Sequence, residues 1–436
     1  MTLSKNKITN ILHSPAFGGA LLFAAAIVAF AWANLDQHSY HSFWHHTFWR
    51  TGGATGKLWN VNLHHVVNEL LMAIFFFFTG LEIKKEIVAG ELSTFNKAIL
   101  PIGAAIGGMV VPALLFSYFN VGLDSARGWG VPMATDIAFS LGVLALLGSR
   151  VPISLKIFLT ALAIGDDLGA VTVIATYYTD YINMSQLLAG LGGLGVLVVL
   201  NLLGFRHRAI YNTIGLLAVW VSFVESGVHA TIAGVLLAFV IPAKPKITHQ
   251  EYIEKARKHL SDLEDADAKV VKGIQEENIV KTIASMKKLS FDAANPSQLR
   301  ENSLHPIVTF FIMPVFALAN AGVLIEGSFQ EMIMSPVSIG IGAGLVFGKP
   351  IGVFLMTKIM VLLKIGKLPE GLNWNQIIGV GFLAGMGFTM SLFVTDLAFK
   401  SEEIKIAAKT SVMISSLIAG LIGFIILYID SKRKKI

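Results

Sequence analysis

About twelve apolar blocks, each about twenty residues long, follow one another along this 436-residue chain. They centre near residues 25, 72, 108, 139, 166, 194, 216, 234, 314, 350, 386 and 418. About twenty helical residues cross the ~30 Å hydrocarbon core of a bilayer. Within that core every backbone N–H and C=O needs a protein partner, so only helices and closed barrels span it. Barrel strands would be shorter and would alternate apolar with polar residues. The pattern therefore predicts an all-α membrane protein of about twelve transmembrane helices, held in the lipid bilayer.

Only 14% of the residues are charged and 54% are hydrophobic, whereas a soluble domain carries about a quarter charged residues. The absence of cysteine excludes disulfides, thiolate catalysis and cysteine metal sites. A net charge of +6 is not a nucleic-acid signal here, because the basic residues sit in the connections between blocks. No nucleic-acid partner is expected. The first block, Phe17–Asn34, follows Lys5 and Lys7 and exceeds the length of a signal-peptide core. It reads as an uncleaved first span.

Alternate connections differ in charge. Lys84, Lys85, Lys97, Arg150, Arg206, Arg208 and the tail Lys432–Lys435 share one side with Lys5 and Lys7. Positive charge accumulates on the cytoplasmic side, so both termini are expected there, consistent with an even number of spans. The chain reads as one membrane domain over 1–436 with two longer connections, an external one at 35–60 and a cytoplasmic one at 243–304. The first contains "FWRTGGATGKLW", two short aromatic strands around a Gly-rich turn, which predicts a hairpin. Six histidines lie between 38 and 65, at spacings that fit no standard metal site. The second contains "YIEKARKHLSDLEDADAKVVKGI", which reads as a solvated charged helix; no chemistry is assigned to it.

Two blocks are interrupted near their middles. The fourth has Pro132 just before Thr135 and Asp136; the eleventh has Gly385, Met386 and Gly387 just before Thr389. A pair of Gly- or Pro-broken spans in corresponding halves is the sequence pointer to a transporter built from inverted repeats, with its site at the midplane.

Four ionisable residues fall near the middle of blocks: Asp136, Asp166, Asp167 and Lys349. A charge at mid-helix costs about 2.5–3.5 kcal/mol on insertion scales, so such residues line a cavity or have a partner. Adjacent helical residues point about 100° apart, so Asp166 and Asp167 are expected to have different tasks. One pairs with Lys349; the other lines an aqueous cavity with Asp136. A purely structural set of ion pairs would leave three acids sharing one base. At the breaks, exposed half-helix ends carry partial charges. Asp136 suits facing N-termini and Lys349 facing C-termini. Thr135 and Thr389 read either as hydroxyls bonded back to their own helix or, for Thr135, as an oxygen ligand.

Carboxylates, a hydroxyl and freed carbonyls suit a small hard cation. Burial favours the neutral acid, and a bound cation favours the ionised form. Sodium and protons therefore compete for one group, and that competition is sufficient for exchange.

The residues that carry this chemistry resemble a known family. "ATDIAFSLGVLALLGSRVPISLKIFLTALAIGDDLGAV", "FFTGLEIKKEI", "SGVHATIAGVLLAF", "FALANAGV", "FGKPIGV" and "GMGFTMSLF" are similar to the NhaA family of sodium/proton antiporters. The likeness covers nearly all of 15–430, apart from most of 243–300. It implies twelve helices, with spans 3–5 and 10–12 as inverted repeats and spans 4 and 11 crossing where they unwind. It implies Asp167 as the principal cation and proton carboxylate and Asp166 as its partner, bonded to Lys349 when no cation is held. Asp136 and Thr135 complete the implied Na+ (or Li+) site. Exchange would be electrogenic and would serve sodium and pH homeostasis, with no cofactor. Lys349 is the alternative proton carrier. Glu82, Lys85, Glu86, Glu301 and His305 match a cytoplasmic pH-sensing funnel; Glu69 and His229 match further family positions, with a packing role for His229 equally open. The resemblance also implies a homodimer joined through the 45–60 hairpin, in a bacterial plasma (inner) membrane.

Some positions depart from the family. Asn302 stands where a second histidine is frequent, and Lys85 where an arginine is frequent. Gly165 replaces a branched residue, which is expected to loosen the fifth helix. The connection 243–304 is longer than usual. Two other classes use buried carboxylates or cation pathways in a membrane. An intramembrane aspartyl protease needs two carboxyls sharing a proton; Asp136 and Asp167 are the available pair, but no Gly-x-Gly-Asp stretch is present. A passive cation channel would need rings of carbonyls or charges, and none is evident.

Overall fold

A computed structural model describes residues 15–52, 58–179, 181–267, 277–324 and 328–433. Nine helices among these residues are long and apolar enough to cross a membrane. They are α1 (Pro15–Leu35), α3 (Leu63–Ala89), α4 (Phe95–Asn120), α6 (Ile153–Tyr177), α7 (Met184–Leu202), α8 (Arg208–Ser226), α12 (Pro296–Asn320), α14 (Pro336–Leu362) and α17 (Glu402–Arg433). Two more spans are broken. The 3-10 helix Asp124–Met133 is followed by α5 (Ile137–Leu146) at 44°, and α15 (Trp374–Ala384) by α16 (Phe388–Ala398) at 46°. Pro132, which has no N–H to donate, precedes the first break, and Gly385 and Gly387 occupy the second.

The block near 234 departs from expectation. Its helix, α9 (Ala230–Val240), has 11 residues and is about 16 Å long, half of what the hydrocarbon core requires. Lys84, read from sequence as a loop charge, closes its C-terminal end. The ammonium donates to the carbonyl of Phe239 at 2.6 Å and also to that of Ile241.

Small residues let α14, which carries Lys349, and α6, which carries Asp166 and Asp167, both pack closely on α4. A Cβ on Gly352 of α14 would lie 2.1 Å from the carbonyl oxygen of Gly107 in α4. A π turn at Gly344–Gly348 immediately precedes Lys349, a distortion that recurs at functional sites. Gly165 does not loosen its helix: α6 runs unbroken from Ile153 to Tyr177. A Cβ at 165 would meet the Ala105 methyl at 2.9 Å, so the glycine serves close packing of α6 on α4.

Outside the spans, α2 (Gln37–His45) precedes an antiparallel pair, β1 (Thr47–Gly52) and β2 (Leu58–Asn62), in which Arg50 faces Asn60. The Gly-rich turn of this hairpin, 53–57, lies outside the described residues. The long connection contains two helices where the sequence suggested one: α10 (His249–Asp267) and α11 (Glu277–Ala293). They pack together, with Tyr252 Oη 3.3 Å from Ser290 Oγ. The end of the predicted helix, 268–274, falls outside the described residues. A short α13 (Phe329–Met334) leads into α14.

Candidate functional site

The two breaks meet. Asp136 N donates to the carbonyl of Met386 at 2.7 Å, so each interruption supplies a backbone partner to the other. Four half-helix ends converge here, and each would be costly to leave unpaired in a membrane. Side chains account for them. Asp136 Oδ1 accepts from Phe139 N at 3.0 Å, at the start of α5. Its Oδ2 accepts from Thr389 N at 3.2 Å, at the start of α16, and from the Thr389 hydroxyl. One carboxylate therefore caps two N-termini, where the helix dipole favours negative charge. At the C-terminal ends, Lys349 Nζ donates to the carbonyl of Met133. Thr135 Oγ1 lies 2.8 Å from the carbonyl of Ala384, and Ser140 Oγ donates to that of Leu383 at 2.8 Å. Neither Thr135 nor Thr389 bonds back to its own helix; each reaches across to another element.

Asp166 and Asp167 diverge as their spacing requires. Asp166 Oδ2 lies 2.7 Å from Lys349 Nζ and 2.7 Å from Thr135 Oγ1, and both partners of the ion pair are fully buried. Asp167 instead lines a cavity of about 140 Å3 with Thr135, Asp136, Glu82 and His305. Its Oδ1 is buried without a hydrogen-bond partner among the described residues. Burying an ionised oxygen unpaired is expensive, so this atom is suited to a proton or to a cation. No group of three His, Asp or Glu among the described residues is arranged as a metal site. Thr135, Asp136 and Asp167 line the cavity, and Asp166 is not among its lining residues. Three of the histidines of 38–65 meet ring to ring: His41 stacks on His45 at 4.5 Å, and His45 lies tilted against His64 at 4.8 Å.

One helical turn from Glu82 and His305, α3 and α12 are joined by Lys85 and Glu301, 2.8 Å apart. Glu82 and His305 lie in the cavity wall itself. Glu86 Oε2 accepts from Glu91 N at 2.9 Å and closes the turn after α3. Glu69 lies in a π turn of α3. His229 precedes α9 and packs edge-on against Phe393 at 5.5 Å. An ion pair that the sequence reading overlooked joins α16 to α17: Asp396 and Lys409, 2.7 Å apart and nearly buried. A charge inside "VTDLAF" was the available signal. An amide pair was also missed: Asn320 Nδ2 donates to Asn68 Oδ1 at 2.9 Å, between α12 and α3.

The protease alternative fails on this geometry. Both oxygens of Asp136 accept hydrogen bonds as helix caps, so it is not placed to share a proton with Asp167. Interrupted membrane helices that meet over a buried carboxylate, with unlike charges at their ends, define an ion-coupled secondary transporter rather than an enzyme. The pattern of the family described as Na+/H+ antiporter 1 matches residues 9–427, and the chain belongs to that family. Its relatives include Na(+)/H(+) antiporter NhaA 1 of Psychromonas ingrahamii, 52% identical over 95% of this chain and 95% of that protein. The Na(+)/H(+) antiporter NhaA of Wolinella succinogenes is 42% identical over 99% and 95%. One from Helicobacter pylori is 43% identical over 98% and 96%.

Proposed function

We propose that this chain exchanges Na+ or Li+ for protons across a bacterial inner membrane, with Asp167 as the carrier carboxylate. The observation that carries this reading is the unpartnered Asp167 Oδ1 in the cavity it shares with Asp136 and Thr135. A proton on Asp167 neutralises it; a sodium ion does the same with help from neighbouring oxygens. The two occupants exclude each other, so loading one releases the other.

Asp166 sets the second half of the cycle. With no cation held, its Oδ2 is bonded to Lys349 and Thr135, while its Oδ1 is buried without a hydrogen-bond partner among the described residues. An arriving sodium ion competes with the ammonium for Asp166, and Lys349, which already donates to the Met133 carbonyl, then yields a proton in addition to the one lost by Asp167. Two protons leave for each cation accepted, so exchange is electrogenic. Thr135 and Asp136 hold the helix ends still while the charge changes. Lys85, Glu301, Glu82, His305 and Glu86 regulate the process with pH, supported by the Lys85–Glu301 pair and by Glu82 and His305 in the cavity wall.

The distribution of lysine and arginine supports cytoplasmic termini. Twelve spans follow if α9 and its flanking turns complete one crossing. The two breaks support a repeat of spans 3–5 in spans 10–12, with the broken spans crossing. The whole chain then forms one transport domain, and a homodimer joins through the β1–β2 hairpin. The test of the core reading is Asp167→Asn in everted vesicles. Adding sodium should dissipate the pH gradient with the parent protein and leave it intact with the variant. Normal exchange by a folded Asp167→Asn protein overturns the assignment.

A further inference from the structure

A second pocket lies at the end of the bundle that carries Lys85 and Glu301. It encloses about 320 Å3, within the ~300–1,000 Å3 typical of small-molecule sites. The start of α8, the exit of α9 at Pro242, the first turn of α12 and the end of α11 form its walls. Arg206, Arg208, Arg300 and Lys246 line it, against the single carboxylate of Asp292.

The guanidinium groups are held from behind. Arg208 lies over the Phe291 ring at 4.9 Å and Arg300 over Tyr211 at 5.7 Å. Arg206 donates to the Lys244 carbonyl at 2.6 Å, and Arg300 to Asn212 Oδ1 at 3.3 Å. Among the described residues none of these arginines pairs with a carboxylate, and the Lys246–Asp292 contact is long at 3.8 Å. The 243–304 connection is folded onto this place. Lys246 N and Ile247 N donate to the Asp292 carbonyl at 2.8 and 3.3 Å, so both ends of the insertion make one wall.

Guanidinium groups that are braced by aromatic rings and face a cavity with little opposing charge form a donor set matched to phosphate oxygens. We propose that this pocket binds the phosphate of a phosphoester and that the insertion serves to close it. A soluble organic phosphate and an anionic phospholipid headgroup share that chemistry. Arg300 directly precedes Glu301, so an occupant bears on the turn of α12 that pairs with Lys85. Through this contact the site regulates transport, a step that rests on the proposed pH-sensing cluster; the binding itself does not.

Binding to the purified full-length chain in a neutral detergent tests this, by thermal shift and calorimetry at fixed sodium. The probes are glycerol 3-phosphate and short-chain phosphatidylglycerol, with gluconate at matched ionic strength as the control. A saturable rise in melting temperature with either phosphoester, absent with gluconate, is expected. A response to glycerol 3-phosphate assigns a soluble ligand, and a response to the lipid alone assigns a headgroup. Arg208→Gln should weaken binding about tenfold, the loss of one charge-assisted contact. Asp292→Asn should tighten it, which keeps the proposal testable if the arginine variant fails to fold. No response to either probe, or equal affinity in parent and both variants, overturns it.

Discussion

Asp166 Oδ2 and Lys349 Nζ lie 2.7 Å apart with neither side chain exposed. Removing one member of a buried pair typically costs about 3–5 kcal/mol, because the other charge is left alone. Lys349→Ala also uncovers the Met133 carbonyl. It should lower the melting temperature of the purified protein more than Asp166→Asn does. Combining both substitutions should restore part of the loss. A Lys349→Ala protein that melts with the parent would show that the pair contributes nothing.

Asp136 caps two helices at once. Asp136→Ala should therefore cost about 2 kcal/mol, twice the ~1 kcal/mol of one N-cap. Asp136→Asn keeps one oxygen acceptor and should fall between the variant and the parent in stability. The same loss for both substitutions would mean that charge, and not capping, is the property that matters.

Two glycines separate packing from propensity. A methyl at Gly352 would sit 2.1 Å from a backbone oxygen, whereas one at Gly192 would meet nothing within 4 Å. Gly352→Ala should destabilise by about 1–3 kcal/mol through forced separation of α4 and α14. Gly192→Ala, in α7, should be neutral or add up to ~1 kcal/mol of helix propensity. Similar melting temperatures for the two variants would contradict the close α4–α14 approach.

Lys85 is the cation facing Glu301, whose Oε2 is buried without a hydrogen-bond partner among the described residues. Without the ammonium, Glu301 loses its ion-pair partner and α3 loses this link to α12, so the pH profile of transport should change in Lys85→Met. Lys85→Arg should stay near the parent. Transport measured across pH in vesicles reads this directly, and superimposed profiles for Lys85→Met and the parent would remove the pair from regulation.

Burial, and after it the facing His41 ring, hold the His45 imidazole below the usual histidine range, with smaller opposed contributions from Glu402, Lys409 and Asp396. A histidine depressed in the folded state stabilises the fold above its unfolded value, ~6.5, and that stability is lost as pH falls from there towards the folded value. The amides of α2 should exchange hydrogen faster as pH is lowered from about 8 to about 5, after correction for intrinsic rates. His41→Gln should reduce the effect. Equal protection across that interval would remove His45 as a cause.

Much of the fold was legible because a bilayer imposes a simple demand, an apolar run of fixed length. All twelve apolar blocks contain a helix or a bent pair, and both breaks fall where Pro132 and Gly385–Gly387 marked them. Asp166, Asp167 and Lys349 stood out because charges in apolar runs are costly. Their partners did not stand out, since the carbonyls of Met133, Leu383 and Ala384 look like any other carbonyl in a sequence. Lys84 was read as a loop charge because composition cannot tell a solvated ammonium from one capping a neighbouring helix. Asp396 was passed over because it lies near the end of its block, where charge is cheap. The length of α9 was hidden by apolar flanks that do not continue the helix. Gly165 was misread because propensity describes a lone helix, and the methyl of Ala105 decides its role.

The single carboxylate at the meeting of the two interruptions has a mechanical consequence. Shear between the two halves would break its bonds to both sides at once, together with the link from Asp136 N to Met386. Whatever motion opens the pathway first to one face and then to the other must carry the riveted pair as one stiff piece, and its sliding seam must lie elsewhere in the bundle.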